Sequence, residues 1–158
     1  MSKLIILAFA LFCYSNATLD RTYVFDKEDL FTDTQEEELQ NMIMMHESVT
    51  TNEIAIVTTP DWGDKENALF FSVNFYDTHR IGKEKKNNGV VMVISKQQRE
   101  TRITTGYGTE EVLKDEIAKN IIDSVMIPRF KEGRYFVGVK NGAQAVIDFL
   151  EKPGNEIK

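Results

Sequence analysis

The chain predicts an α/β fold, specifically a three-layer α/β/α sandwich around a central mixed sheet. Three observations carry this. Ile54-Ala55-Ile56-Val57 and Val90-Val91-Met92-Val93-Ile94 are continuous apolar runs of strand length, the pattern of strands covered on both faces. Segments of helical period lie before, between and after them. The polar tip Lys96-Gln97-Gln98-Arg99 leads into Thr101–Thr105, which alternates like a strand returning antiparallel. Strands buried on both sides need a helical layer above and below.

In chain order, Thr18 to Val24 reads as an extended leader. Thr32 begins the first helix, with Gln35 three residues later in capping-box spacing. Leu39, Met42, Ile43, His46 and Val49 mark one apolar face, on which His46 is expected to be a packed residue. Glu53–Thr58 is the first long strand. Pro60-Asp61-Trp62-Gly63-Asp64 is turn chemistry, and a second helix runs from about Lys65 to His79. Asn87-Asn88-Gly89 feeds the second long strand. The helix between these two strands makes them parallel with a right-handed crossover. Gly106-Tyr107-Gly108 breaks the returning strand. Asp115 to Met126 is helical, with Ile117, Ile121, Ile122 and Val125 on one face, and Pro128 is expected to end it. A last helix spans about Tyr135 to Leu150. The expected domain covers residues 18–152, with 153–158 a flexible tail.

The N-terminus has its own grammar. Lys3 precedes an apolar run from Leu4 to Phe12, and Ser15-Asn16-Ala17 is a small-x-small cleavage site. Residues 1–17 are therefore read as a secretory signal peptide, with the mature chain exported. The apolar run is too short to span a bilayer, and no second one follows. Cys13 is the only cysteine. Bulky Phe12 directly before it disfavours lipoprotein processing, and cleavage near Ala17 leaves no thiol for a disulfide.

Composition narrows the classes of partner. A formal net charge of −6, made more acidic by loss of Lys3, repels phosphate backbones and argues against nucleic acid. The two histidines exclude a three-histidine metal centre. No G-x-S-x-G, Walker or paired C-x-x-C motif occurs. Gly106-Tyr107-Gly108 opens like a dinucleotide fingerprint, but Glu111 takes the last glycine's place and the strand before it is antiparallel.

What remains is acidic and can be sorted by pole. The hairpin returns Gly106 to the end where Asn87-Asn88-Gly89 enters the sheet. The second helix delivers Asp77 to the same pole, and Glu110 and Asp115 follow the glycine bend. An oxygen-only shell of carboxylates and loop carbonyls suits Ca²⁺ or Mg²⁺. The alternative is that Asp115 caps its helix and Glu110 complements a helix dipole. Lys83, Lys85, Lys86 and Arg102 flank this pole, either as phosphate holders or as solvated surface. Asp26, Asp29, Asp61 and Asp64 gather at the opposite pole, where turns and caps ordinarily attract aspartate.

Val24-Phe25-Asp26, Phe75-Tyr76, Ile81-Gly82, Asn87-Asn88-Gly89-Val90, Arg102–Glu110, Leu113-Lys114-Asp115 and Pro128–Tyr135 occur in an order and spacing that resembles the TPM domain family, from about Val24 to Leu150. That family includes exported bacterial proteins and thylakoid-lumen proteins linked to photosystem II repair. The resemblance implies export, an α/β/α sandwich and a Ca²⁺ or similar divalent site using Asp26, Glu110 and Asp115; topology adds Asp77. It also implies a non-catalytic scaffold or interaction module in protein quality control, with a protein partner, or alternatively a metal-assisted acid phosphatase. His79 stands where members often carry tryptophan, and the chain has neither the transmembrane helix nor the glycine-rich tail of many relatives.

Overall fold

A computed structural model describes residues 21–158; the expected signal peptide, Cys13 and the cleavage site near Ala17 lie outside the described residues. Four strands form one sheet in the order β1-β2-β3-β4: β1 Val24–Asp26, β2 Glu53–Thr58, β3 Gly89–Ser95 and β4 Glu100–Thr105. The first three are parallel and β4 returns antiparallel. Helices α1 (Asp33–Thr50) and α2 (Ala68–His79) make the two crossovers. After the sheet come a one-turn α3 (Tyr107–Glu110), α4 (Asp115–Ile121), a π-helical turn (Ile122–Met126), α5 (Ile127–Lys131) and α6 (Tyr135–Leu150).

Strand periodicity divides the core in two. Ile54, Ile56, Val90, Met92, Ile94 and Ile103 share one core with Leu39 and Ile43 of α1 and with Val139, Val146 and Ile147 of α6. Ala55, Val57, Val91 and Val93 face Phe75 of α2 and Ile81. Both strands β2 and β3 are buried along their whole length, which is why they read as unbroken apolar runs. Each fully buried aliphatic side chain stabilises by about 1.5–3 kcal/mol.

Where the extended leader ends, Val24 opens a strand that sequence reading misses. Val24, Phe25 and Asp26 pair with Ile56, Val57 and Thr58; three residues are too few to display alternation, and the pairing depends on β2. The capping box at α1 forms as expected, with Thr32 Oγ1 accepting the Gln35 N–H at 3.3 Å and Gln35 Oε1 accepting the Thr32 N–H at 3.0 Å. Val49 departs from its expected place: it is 73% exposed, because ten residues after Leu39 it lies about 80° around the helix from that residue, at the edge of the stripe. The second helix starts later than expected, where Asn67 Oδ1 accepts from Leu69 and Phe70.

Pro128 does not end its helix. It sits at the start of α5, directly after the π-helical turn. A proline lacks the N–H and crowds the carbonyl one turn back; the wider π turn absorbs that defect and the chain continues helically. Beyond Leu150, Asn155 Nδ2 donates to the Phe149 carbonyl at 2.8 Å, and Ile157 packs against the larger core. No helix among the described residues is long and apolar enough to cross a membrane.

Candidate functional site

The loops at the N-terminal ends of β2 and β3 meet the bend after β4. The Gly106 N–H donates to the Gly89 carbonyl at 3.0 Å, and the Gly108 N–H to the Asn87 carbonyl at 3.1 Å. The returning strand therefore brings the diglycine bend against the double asparagine, as its antiparallel register requires. Asn88 is fully buried. Its Oδ1 accepts the Lys83 N–H at 2.8 Å, and its Nδ2 donates to the Thr51 carbonyl and to Asn52 Oδ1 at 2.9 and 3.0 Å. One side chain thus ties the 51–52, 83 and 88 segments together.

The approach is so close that side chains are excluded. A Cβ on Gly82 would lie 2.6 Å from the Gly89 nitrogen, and one on Gly108 would lie 1.9 Å from the Lys86 carbonyl oxygen. Gly82 also has φ +93°, a left-handed backbone that favours glycine. The Tyr76 side chain fills the space beside Gly82, Gly89 and Gly106. Its hydroxyl is buried without a hydrogen bond of good geometry; burial raises the phenol above its ordinary value, the nearby Gly89 amide opposing it.

Beside this junction lies a cleft of about 280 Å³ lined by Tyr76, Asp77, Arg80, Lys83, Glu84 and Asn87, with Ile81 and Gly82 at its back. Two of its lining residues, Gly82 and Lys83, are held by a buried carboxylate that sequence reading does not single out. Glu53 is 1% exposed and accepts from Arg21 Nη1 at 3.0 Å, Lys83 Nζ at 2.6 Å and the Gly82 N–H at 2.8 Å. Lys83 also reaches Glu47 at 2.7 Å, and Tyr23 donates to Glu47 at 2.5 Å. Burial pushes the Glu47 carboxyl up, but hydrogen bonds from Lys83 and Tyr23 outweigh it and leave the group below its ordinary value. Hydrogen bonds to Glu47 and Glu53 raise Lys83. A lone glutamate opening an otherwise apolar strand is the one sequence signal for this network.

The four expected metal ligands separate. Asp77 lines the cleft. Glu110 ends α3 and Asp115 opens α4, both at this pole but outside the cleft lining. Asp115 is the first helical residue, not the cap; Lys114 holds the cap position without a side-chain bond. Asp26 lies at the opposite pole, opposite Thr58. There its Oδ2 accepts the Phe31 N–H at 2.7 Å and its Oδ1 accepts the Thr58 hydroxyl. With β2 running about 17 Å between the poles, Asp26 cannot share an ion with Asp77. Among the described residues, no three His, Cys, Asp or Glu side chains converge in a metal-holding group. Asp77, Glu84 and Asn87 line one cleft and carry oxygen donors, hard ligands of the kind Ca²⁺ and Mg²⁺ take.

The histidines serve packing. His46 is 2% exposed, with Nδ1 2.8 Å from Glu151 Oε1 and Nε2 3.3 Å from Thr50 Oγ1. His79 stacks on Phe75 at 3.8 Å between ring centroids, the aromatic role its position calls for. Of the flanking cations, Lys83 is taken by two carboxylates, while Lys86 reaches toward Thr51 Oγ1 and the Ile157 carbonyl at 3.4 and 3.5 Å.

Comparison with known families matches residues 24–149 to the TPM domain. The N-terminal domain of a protein from P. gingivalis, solved by NMR, is 32% identical, with a TM-score of 0.78 and coverage of 89% of both chains. The BA42 protein of the psychrophilic bacterium Bizionia argentinensis is 17% identical (TM-score 0.65), over 84% of this chain and 97% of that one. The N-terminal domain of the cg2496 protein of Corynebacterium glutamicum is 11% identical (TM-score 0.62), over 92% and 86%. The last two likenesses show the fold. No curated protein matched.

Proposed function

The chain belongs to the TPM domain family, and from that premise we propose that it is an exported module that binds Ca²⁺ or Mg²⁺ in the cleft beside α2 and acts as a non-catalytic scaffold in protein quality control. The observation that carries this is the joint lining of one cleft by Asp77, Glu84 and Asn87. The residues around them preorganise it. Arg80 and Asn87 adopt left-handed backbone at φ 50° and 48°, which costs non-glycine residues about 1–2 kcal/mol each. Asn88 and Glu53 hold that loop in place, so the carboxylates need not be gathered at the moment of binding. A bound divalent ion would supply positive charge to bridge the loop to a partner's oxygen atoms. The positioning would fall to Asp77, Glu84 and Asn87.

Calcium titration of the folded chain tests the proposal. NMR shifts are expected at Asp77, Gly82, Glu84 and Asn87, with an affinity of about 10⁻⁴–10⁻³ M, as in weak extracellular modules. Unchanged spectra and unchanged melting at several times that concentration would overturn it.

A further inference from the structure

At the far pole, two stretches with no part in the calcium cleft meet: the hairpin tip Lys96–Arg99 and the Pro128–Tyr135 segment. Between them lies a groove of about 480 Å³ lined by Ser95, Arg99, Thr101, Ile127, Phe130, Lys131 and Tyr135. That volume is in the range of small-ligand pockets. We propose that this groove binds an apolar group bearing a carboxylate, such as the C-terminal residue of a peptide chain.

Charge is the first argument. The chain is acidic overall, yet Arg99 and Lys131 both line the groove, and among the described residues neither forms an ion pair. Two nearby carboxylates are committed elsewhere, and Glu100, next to Arg99 in the chain, does not line the groove. Glu28 accepts the Lys96 and Gln97 N–H groups at 2.9 and 3.0 Å, and Glu132 pairs with Arg129 and Arg134 at 3.2 and 3.3 Å. Two free cations in one concavity select an anion, and a guanidinium offers a carboxylate two parallel hydrogen bonds.

The wall is the second argument. Phe130 and Tyr135 stack at 5.0 Å with an interplanar angle of 16°, and Lys96 Nζ stands 5.4 Å over the Tyr135 ring. This apolar surface beside the cations asks for an anion with a hydrophobic body. Ser95 adds a donor. It is 2% exposed, and its Oγ accepts the Gln98 N–H at 3.1 Å, which leaves its own hydrogen for an acceptor in the groove.

The test uses the folded chain and acetylated tetrapeptides ending in phenylalanine, as the free acid and as the amide, with binding followed by NMR. The acid should shift Ser95, Arg99, Phe130 and Tyr135 saturably, and the amide should bind at least about tenfold more weakly, the loss of a charge-assisted bond. Arg99→Asn removes the charge while keeping a residue suited to its φ of 55°. Combined with Lys131→Gln, it should weaken the acid at least as much, with melting temperature reporting that the fold is intact. Acetate should bind far more weakly than 3-phenylpropionate. Phenylpropionate equal to the peptide assigns the source to small acids, and a gain from the peptide assigns it to chain ends; either supports the groove. Equal binding of acid and amide, unaltered binding by the double variant, or shifts confined to the calcium cleft would overturn it.

Discussion

The Tyr76 hydroxyl occupies the space where a side chain at Gly106 would begin: a Cβ there would lie 2.0 Å from that oxygen and 2.4 Å from the Asn87 carbonyl oxygen. Gly106→Ala must therefore displace either the ring or the loop. We expect a cost of about 2–3 kcal/mol, in line with overpacked cores, read as a lower urea midpoint at unchanged m-value. Tyr76→Phe removes a hydroxyl without a well-formed partner and should cost under about 1 kcal/mol. A larger loss would mean that the hydroxyl is bonded in solution.

Glu53→Gln should be among the most damaging single changes at this pole. The carboxylate is buried and accepts from Arg21, Lys83 and Gly82. A neutral amide turns an NH₂ toward one of those donors and ends the charge pairing, for an expected loss of about 3 kcal/mol. Denaturant unfolding measures it directly.

The same network sets a pH profile. Glu47 is held below its ordinary value in the fold, so its contribution is present above the unfolded carboxylate range, near about 4, and is lost as acid protonates it. Lys83 is raised by its hydrogen bonds to Glu47 and Glu53, and Tyr23 is raised chiefly by burial. Their contributions are complete below about pH 10 and decline as alkali titrates them in the folded state. Stability measured from acid to alkali should thus fall at both ends. Lys83→Met should flatten both limbs, and an unchanged profile would contradict the network.

If calcium binds as proposed, its affinity should separate the carboxylates. Asp77→Asn and Glu84→Gln should each weaken binding by about tenfold, the loss of one charged ligand. Asp26→Asn should leave calcium titration intact while costing about 1 kcal/mol through its bonds to Phe31 and Thr58. Glu110→Gln and Asp115→Asn should change the affinity by under about threefold, as charges outside the cleft do. Any hydrolysis of p-nitrophenyl phosphate that survives repurification and vanishes in folded Asp77→Asn would favour a phosphatase over a scaffold.

Local signals were the legible ones. The runs at Ile54–Val57 and Val90–Ile94 declare burial on both faces, and Thr32 with Gln35 declares a helix start. The hairpin was also readable, because its tip and its alternating strand are contiguous; from it followed the meeting of Gly106 with Asn87 and Gly89. Long-range facts were not. Glu53 finds Arg21 and Lys83 only once the sheet is assembled, and β1 exists only as a partner for β2. Glu84 lies in the charged run Lys83–Lys86, where a carboxylate flanked by lysines looks like solvated surface. Pro128 ordinarily stops a helix, and the π turn before it cancels that effect. For Asp26 motif and topology disagree: the motif puts it in the ligand set, while the pairing with Thr58 puts it at the other end of the sheet.

The sheet's two flanks differ in length, β1 with three residues and β4 with six. Annealing of a foreign chain needs a row of unpaired backbone groups, so the short flank offers little template for fibril growth. The long flank begins at exposed Glu100, a charge that discourages stacking of identical copies. Exchanging that glutamate for valine would turn the guarded border into the point where self-assembly starts.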